Sequence, residues 1–336
     1  MLDYSALNKY DPSGMHKIYD KWPDIAREFY EHDNDLVDFK EINYIVFAGM
    51  GGSGIVGDIF FSILSNTKVH VSVVKGYHLP KTVDPQTLVV TTSVSGNTAE
   101  TLAVLNLAKE SGSKVIAFSS GGKMQSYCNE NKILYKNIKS YNSPRASLPS
   151  FLYSMLKLLG PTFKIKKEDV SESIKLLESM QKQIGSHNLN IDNPSLSLAE
   201  WISGIPLTYY PFGLYPAAIR FKNSLQENVK IHAMAEDIFE ASHNGIVSWE
   251  RPSNVQPILI QGADDHIKTK ERWQILKEYF KINHIDYREV FSCNGSILSK
   301  LVNLIYMLDY STIYRSLLSK MDPSPISSID FIKSKL

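Results

Sequence analysis

Two short strand-like runs rich in apolar and β-branched residues, each ending in a turn rich in small residues, constrain the fold of this chain more than any other feature. Residues 42–48 form the first and lead into Gly49-Met50-Gly51-Gly52-Ser53-Gly54; residues 87–92 form the second and lead into Ser93-Val94-Ser95-Gly96-Asn97-Thr98. A strand that is apolar at nearly every position is covered on both faces, which means a parallel sheet between helices. Further strands are expected at 69–74, 114–118 and 133–138, with helices over 54–64 and 98–111, the second carrying Leu102, Leu105 and Ala108 at helical spacing. One or two amphipathic helices over 11–33 precede the first strand, and a helix over 147–159 closes this half. The alternation then restarts, with strands at 206–212, 257–261 and 286–291 and helices over 215–228, 269–280, 294–318 and 327–335. Repeated strand, loop and helix specify an α/β fold with parallel sheets in three layers.

A chain of 336 residues exceeds the size at which one hydrophobic core usually stops growing. The expected division is an N-terminal domain at 1–160, a charged helical linker at 161–190 and a C-terminal domain at 191–336. The lysines of residues 164–169 (KIKKED) read as a solvated helix start.

Hydrophobic residues make up 43% of the chain and charged ones 21%, as in ordinary globular proteins, and the formal net charge of +1 gives no reason to expect nucleic acid or an anionic membrane as partner. The two cysteines, Cys128 and Cys293, lie far apart and outside any CxxC spacing, which fits a reducing, cytoplasmic setting. The first residues, MLDYSALNKYD, lack the basic and apolar regions of a secretory signal. The uncharged run over 201–219 is broken by Gly204, Pro206, Pro211, Gly213 and Pro216, which argues against a membrane span. The nine histidines show no HxH or HExxH spacing, so no metal is expected.

The first glycine-rich turn lets backbone approach a ligand and presents the free N–H groups of a helix start, which favour an anion. It also satisfies GxGxxG, so a dinucleotide-binding fold and a nicotinamide oxidoreductase are rivals. Those require an acidic residue at the end of the second strand, and that strand runs into Val74-Lys75-Gly76. No P-loop lysine follows the glycines, which disfavours a kinase. The second turn brings three hydroxyls, an amide and another helix start to one spot, an arrangement suited to the three oxygens of a phosphate monoester. A plain helix N-cap at Ser95 or Asn97 is the competing explanation, but one residue would suffice for that.

With GMGGSG and SVSGNT the chain resembles the phosphosugar-binding domain of the sugar-isomerase (SIS) superfamily. Further segments narrow the likeness to its bifunctional phosphoglucose/phosphomannose isomerase branch: Ser119-Ser120-Gly121-Gly122-Lys123, Ser143-Pro144-Arg145-Ala146-Ser147-Leu148-Pro149, residues 223–230 (NSLQENVK), Glu240-Ala241-Ser242-His243-Asn244, Asp322-Pro323 and residues 329–333 (IDFIK). The resemblance implies two flavodoxin-like SIS domains, a phosphosugar substrate, no cofactor, and a homodimer with composite active sites. It implies phosphate binding by Gly51, Gly52, Ser53, Ser93, Ser95 and Thr98. It also implies Glu227 as the base that moves a proton between C2 and C1, Arg145 as the cation facing the enediolate, His243 as the ring-opening group supplied by the neighbouring subunit, and Lys333 as a C-terminal site lysine.

Two positions depart from the family pattern. Ile326 stands where relatives carry a threonine, whose hydroxyl is associated with the mannose epimer, and Gln226 stands where asparagine is usual. A non-catalytic sugar-phosphate sensor on the same fold is the alternative; it would need only the phosphate loops, whereas Glu227, His243 and Arg145 are all present.

Overall fold

The computed structural model describes residues 2–32 and 36–335; the expected helix end at Asp33 lies outside them. The chain forms two compact units, one from residues up to Asp20 with Ser171–Pro325, the other from Lys21–Val170 with the segment that begins at Ile326. Each unit is therefore assembled from separated stretches of sequence, unlike the contiguous division at 160 and 191. The Lys167–Ile184 helix, read as a linker, buries Ile174, Leu177 and Ile184 along one side. Leu176 O accepts from Asn303 Nδ2 at 3.3 Å, and Glu172 accepts from Ser296 N and Ser299 Oγ at 2.9 and 2.7 Å. Those contacts draw most of the helix into the core of the unit that contains Ser171–Pro325.

In the first sheet β1 (Tyr44–Ala48), β2 (His70–Val74), β3 (Thr87–Ser93), β4 (Lys114–Ser119) and β5 (Leu134–Asn137) run parallel in the order β2-β1-β3-β4-β5. The central strands β1 and β3 are buried throughout, β1 with an unbroken apolar sequence and β3 with Leu88, Val89 and Val90 between threonines, while the edge strands β2 and β5 are partly exposed. On one face Val46, Ala48 and Val89 pack with Val104 and Ala108 of the Ala99–Glu110 helix. On the other, Phe47 stacks on Phe60 at 5.1 Å and Phe163 meets both edge-on. The Gly51–Leu64 helix comes so close to β1 that a Cβ on Gly57 would lie 2.8 Å from Phe47 Cβ.

The second sheet contains β6 (Ile205–Tyr210), β7 (Met234–Asp237), β8 (Val255–Gln261) and β9 (Arg288–Phe291), all parallel in the order β7-β6-β8-β9. It repeats the first sheet's order with one strand fewer. Leu207, Tyr209 and Leu259 pack on Trp249, Trp273, Leu276 and Phe280. In the same unit the Tyr215–Ser224 helix packs on the long Ile297–Leu318 helix. Inside that pair Arg220 Nε and Nη2 donate to Asp309 Oδ2 at 2.9 and 2.7 Å, Tyr19 Oη donates to the same oxygen at 3.1 Å, and Ser224 Oγ donates to Oδ1 at 2.7 Å. Burial alone would lower the Arg220 pKa; the adjoining Asp309 carboxylate outweighs it and holds the guanidinium charged.

Candidate active site

In the first sheet β1 and β3 are neighbours, yet the chain leaves β1 towards β2 on one side and β3 towards β4 on the other. A parallel sheet opens a crevice at the carboxyl ends of two such strands, and ligands bind there. The two small-residue turns occupy that place. Gly51 takes φ +52, and a Cβ on Gly52 would stand 3.3 Å from Pro144. Ser53, 7% exposed, accepts a hydrogen bond from Val94 N at 3.1 Å, which ties the first turn to the second. Ser93 Oγ accepts from Gly96 N at 3.1 Å and lies 3.0 Å from Thr98 Oγ1; Ser95 Oγ accepts from Asn97 N at 3.3 Å. Each of the three serine hydroxyls thus uses a lone pair on a backbone N–H, and Ser93 and Thr98 share one further hydroxyl proton between them.

A third turn, after β4, completes the edge. Ser120 N and Oγ donate to Val94 O at 3.1 and 2.6 Å, Lys123 N donates to Asn97 Oδ1 at 3.0 Å, and Met124 N donates to Gly96 O at 2.9 Å. The helices that leave the three turns begin after Met50, Thr98 and Gly121, and none of these makes a side-chain cap hydrogen bond. Thr98 in particular turns its hydroxyl to Ser93, so it does not fill the N-cap role. In the third helix Lys123 N and Met124 N are occupied by the second turn, so the helix starts after Met50 and Thr98 are the ones whose N–H groups and dipole ends face a ligand.

Arg145 is 2% exposed and follows Pro144, the residue against Gly52. Its turn is closed by Ser147 N and Oγ donating to Ser143 O, and by Tyr141 N donating to Ser147 Oγ. The sequence reading overlooked Lys75 and Asp58. Lys75 Nζ donates to Asp58 Oδ2 at 2.6 Å, and its Cε lies 3.4 Å from where a Gly54 Cβ would be. Burial raises the Asp58 carboxyl pKa, and the ammonium opposes that shift. The only sequence signal for this pair was a lysine at a strand end. Lys333 is exposed on the Ser327–Lys333 helix, which buries none of its residues and starts after Ile326 without a side-chain cap.

The unit that contains Ser171–Pro325 carries Glu227 and His243. The helix expected over 215–228 is α-helical only to Ser224; Leu225–Val229 forms a π turn, and Glu227 sits at its centre, half-buried. Its carboxylate lies close enough to Arg220 to favour that guanidinium's charge. The π turn ends at Lys230, in the left-handed conformation. His243 is exposed in the turn after the Ile238–Ala241 helix, and its N–H donates to Glu240 O at 2.9 Å. Asn244 Nδ2 donates to Glu240 Oε1 at 2.7 Å. The Glu236 carboxylate covers Gly245, and burial, with Glu240 nearby, raises its pKa. Glu227 precedes β7 and His243 follows it, so the two flank opposite ends of one strand.

Three helices of this sheet are closed by their own side chains. Asp237 accepts from Phe239 N and Glu240 N, His266 from Lys268 N, and Ser296 from Ser299 N. The Tyr215–Ser224 helix after β6, preceded by Leu214, makes no side-chain cap hydrogen bond. The structure therefore gathers Gly51, Gly52, Ser53, Ser93, Ser95 and Thr98 on one edge of the first sheet, with Arg145 beside them, and sets Glu227 and His243 in separate turns of the other unit. Among the described residues no three His, Cys, Asp or Glu side chains converge as a metal site would, and no helix is long and apolar enough to cross a membrane.

Comparison with known proteins agrees with this architecture. Residues 38–152 match the SIS domain, and residues 191–336 match the bacterial phospho-glucose isomerase C-terminal SIS domain. Among solved structures, a hypothetical protein from Thermus thermophilus superposes with a TM-score of 0.75 at 14% identity, covering 98% of this chain and 91% of that one, a likeness of fold. A bifunctional phosphoglucose/phosphomannose isomerase of Aquifex aeolicus is 31% identical over 94% of each chain. Another, from Caldicellulosiruptor bescii, is 30% identical over 94% of this chain and 96% of its own length. With two SIS domains and this likeness along nearly its whole length, the chain belongs to the bifunctional phosphoglucose/phosphomannose isomerase family.

Proposed function

We propose that this protein interconverts glucose 6-phosphate and mannose 6-phosphate with fructose 6-phosphate. The observation that carries the reading is the edge of the first sheet, where two helix starts without side-chain caps, after Met50 and Thr98, meet the hydroxyls of Ser53, Ser93 and Ser95, each accepting from a backbone N–H. That set suits a phosphate monoester and needs no metal to bind it. Gly51, Gly52, Ser53, Ser93, Ser95 and Thr98 hold the phosphate. Glu227 takes the proton from C2 and returns it to C1 through a cis-enediolate, whose negative charge faces Arg145. A guanidinium suits that task because it stays protonated when buried, and Arg145 is buried. His243 opens the sugar ring, and Lys333 contributes from the C-terminal helix.

We further propose a homodimer in which His243 serves the neighbouring subunit's site. Its placement at the opposite end of β7 from Glu227 favours such a division. A cytoplasmic setting is supported by two free thiols, Cys128 and Cys293, each held protonated by burial with a pKa of about 11. Incubating the purified protein with fructose 6-phosphate and resolving the sugar phosphates by chromatography tests the function. Glucose and mannose 6-phosphates are both expected. A protein that binds fructose 6-phosphate but yields neither product is the non-catalytic sensor instead.

A further inference from the structure

The wide turn that carries Glu227 is unusually placed to need an external tie. A π turn leaves the carbonyls at its end without intrahelical partners. The common way to close a helix is a glycine in the left-handed conformation. Here the closing residue is Lys230, at φ 60 and ψ 33, a conformation that disfavours any residue with a side chain.

Its side chain has somewhere specific to go. Lys230 Nζ donates to Glu227 O at 2.7 Å and lies 3.3 Å from Asn228 O, 3.3 Å from Asp322 O and 3.2 Å from Pro323 O. Two of these carbonyls end the π turn; the other two belong to a segment 92 and 93 residues further along the chain. The remaining ties of the turn differ in kind. Asn228 Nδ2 donates to Thr312 Oγ1 at 2.7 Å and Ser224 Oγ to Asp309 Oδ1 at 2.7 Å, both towards the Ile297–Leu318 helix, and Gln226 Nε2 donates to Ala233 O at 3.4 Å. Lys230 alone among these residues joins the turn to Asp322–Pro323, and it does so from the carbonyl of the base-bearing residue.

We infer that Lys230 is a positioning residue for isomerisation: its ammonium straps the Glu227 turn to Asp322–Pro323 and fixes where the base stands. The inference rests on Glu227 being the base. Misplacing a reacting group by an ångström is enough to cost on the order of 10²-fold in rate.

Lys230→Gly separates the strap from the cap, because glycine adopts the left-handed conformation without strain and removes only the cation. Fructose 6-phosphate turnover by the full-length protein is measured for Lys230→Gly, Lys230→Arg and Glu227→Gln, with a thermal melt for each. A strap predicts that Lys230→Gly melts near the wild-type temperature, while kcat falls roughly 10- to 100-fold and KM moves less than about threefold. Lys230→Arg keeps the charge and is expected to turn over clearly faster than Lys230→Gly. Wild-type kcat in Lys230→Gly, or equal losses in the glycine and arginine variants, overturns the strap. Retained turnover in Glu227→Gln overturns the base assignment itself, whereas an inactive Glu227→Gln beside a fully active Lys230→Gly removes the strap alone.

Discussion

Replacing Gly96 by alanine tests whether the three turns at the first sheet's edge act as one phosphate cradle. Gly96 takes φ +67, and a Cβ there would stand 1.8 Å from Gly121 O. Gly112 provides the control, since it takes φ +72 with nothing within 4 Å of its would-be Cβ. The left-handed conformation burdens alanine at either site by roughly 1–2 kcal/mol. Only at Gly96 must a backbone carbonyl also withdraw, from 1.8 Å to at least the 3.0 Å that real Cβ contacts keep. Withdrawal of the Gly121 turn strains three hydrogen bonds, from Ser120 N to Val94 O, Lys123 N to Asn97 Oδ1 and Met124 N to Gly96 O. At about 1 kcal/mol each, their loss makes Gly96→Ala about 3 kcal/mol less stable than Gly112→Ala. That is within the stability of an ordinary domain and corresponds to a melting point roughly 6–12 °C lower. The same movement pulls the Ser93–Thr98 turn away from the phosphate, so KM for fructose 6-phosphate is expected to rise about tenfold or more, equivalent to about 1.4 kcal/mol of binding. Calorimetry and initial-rate kinetics on both variants give the two readings. Equal melting points for the two variants, with KM unchanged in Gly96→Ala, would show that the turns neither pack as described nor hold the substrate.

Glu227→Gln keeps the size of the side chain but removes its basicity, so kcat is expected to fall at least ~10²-fold with KM little changed; near-normal turnover would remove Glu227 from the proton transfer. If sites are composite, co-expressing Glu227→Gln with His243→Ala subunits yields heterodimers with one intact site, and tagged heterodimers that stay inactive would refute the division. Ile326 offers no hydroxyl where the family resemblance implies a threonine, and a lost hydrogen bond to a charged group is worth ~1.5–3 kcal/mol, or roughly 10- to 100-fold in rate. Mannose 6-phosphate is therefore expected to turn over more slowly than glucose 6-phosphate, with Ile326→Thr narrowing the gap; an unchanged ratio would clear position 326 of any role. Burial alone would raise the Asp11 pKa, but hydrogen bonds from the His16 ring and from the backbone of His16 and Met15 hold it below its ordinary value. A carboxylate depressed on folding stabilises the protein above its unfolded pKa, and that contribution is lost as pH falls through the folded one. Thermal melts should therefore show wild type losing more stability than Asp11→Asn on acidification below the ordinary carboxylate range; parallel losses would discount the contribution.

Legibility in the sequence followed burial. The strands covered on both faces, β1 and β3, announce themselves as short runs of apolar and β-branched residues, and their glycine- and serine-rich ends mark the candidate phosphate site. β7 does not, because Met234-Ala235-Glu236-Asp237 is a short edge strand with two carboxylates and one strand neighbour. The Gly122–Glu130 helix is hidden behind a glycine start, and the Pro194–Trp201 helix behind a serine-rich stretch. The π turn at Leu225–Val229 has no compositional signature; it depends on ties from Asn228, Gln226 and Lys230 to distant or later residues. The division into units was equally hidden, since the buried side of the Lys167–Ile184 helix is set among nine charged or amide side chains that read as solvated.

The contrast between the helix starts of the two sheets bears on how one fold is made to bind or to abstain. In the second sheet the Asp237 carboxylate already occupies the N–H groups of Phe239 and Glu240. It acts as a resident anion, the internal counterpart of the phosphate expected at the first sheet. The Ser296 hydroxyl and the His266 ring occupy two further helix starts in the same way. The two sheets thus share a strand order but differ in vacancy: one keeps the helix ends after Met50 and Thr98 without side-chain caps, and the other has filled most of its own from within. A scaffold with two like sheets can in this way be limited to the one proposed phosphate site, because the second half answers most of its own dipoles and leaves its loops to carry Glu227 and His243.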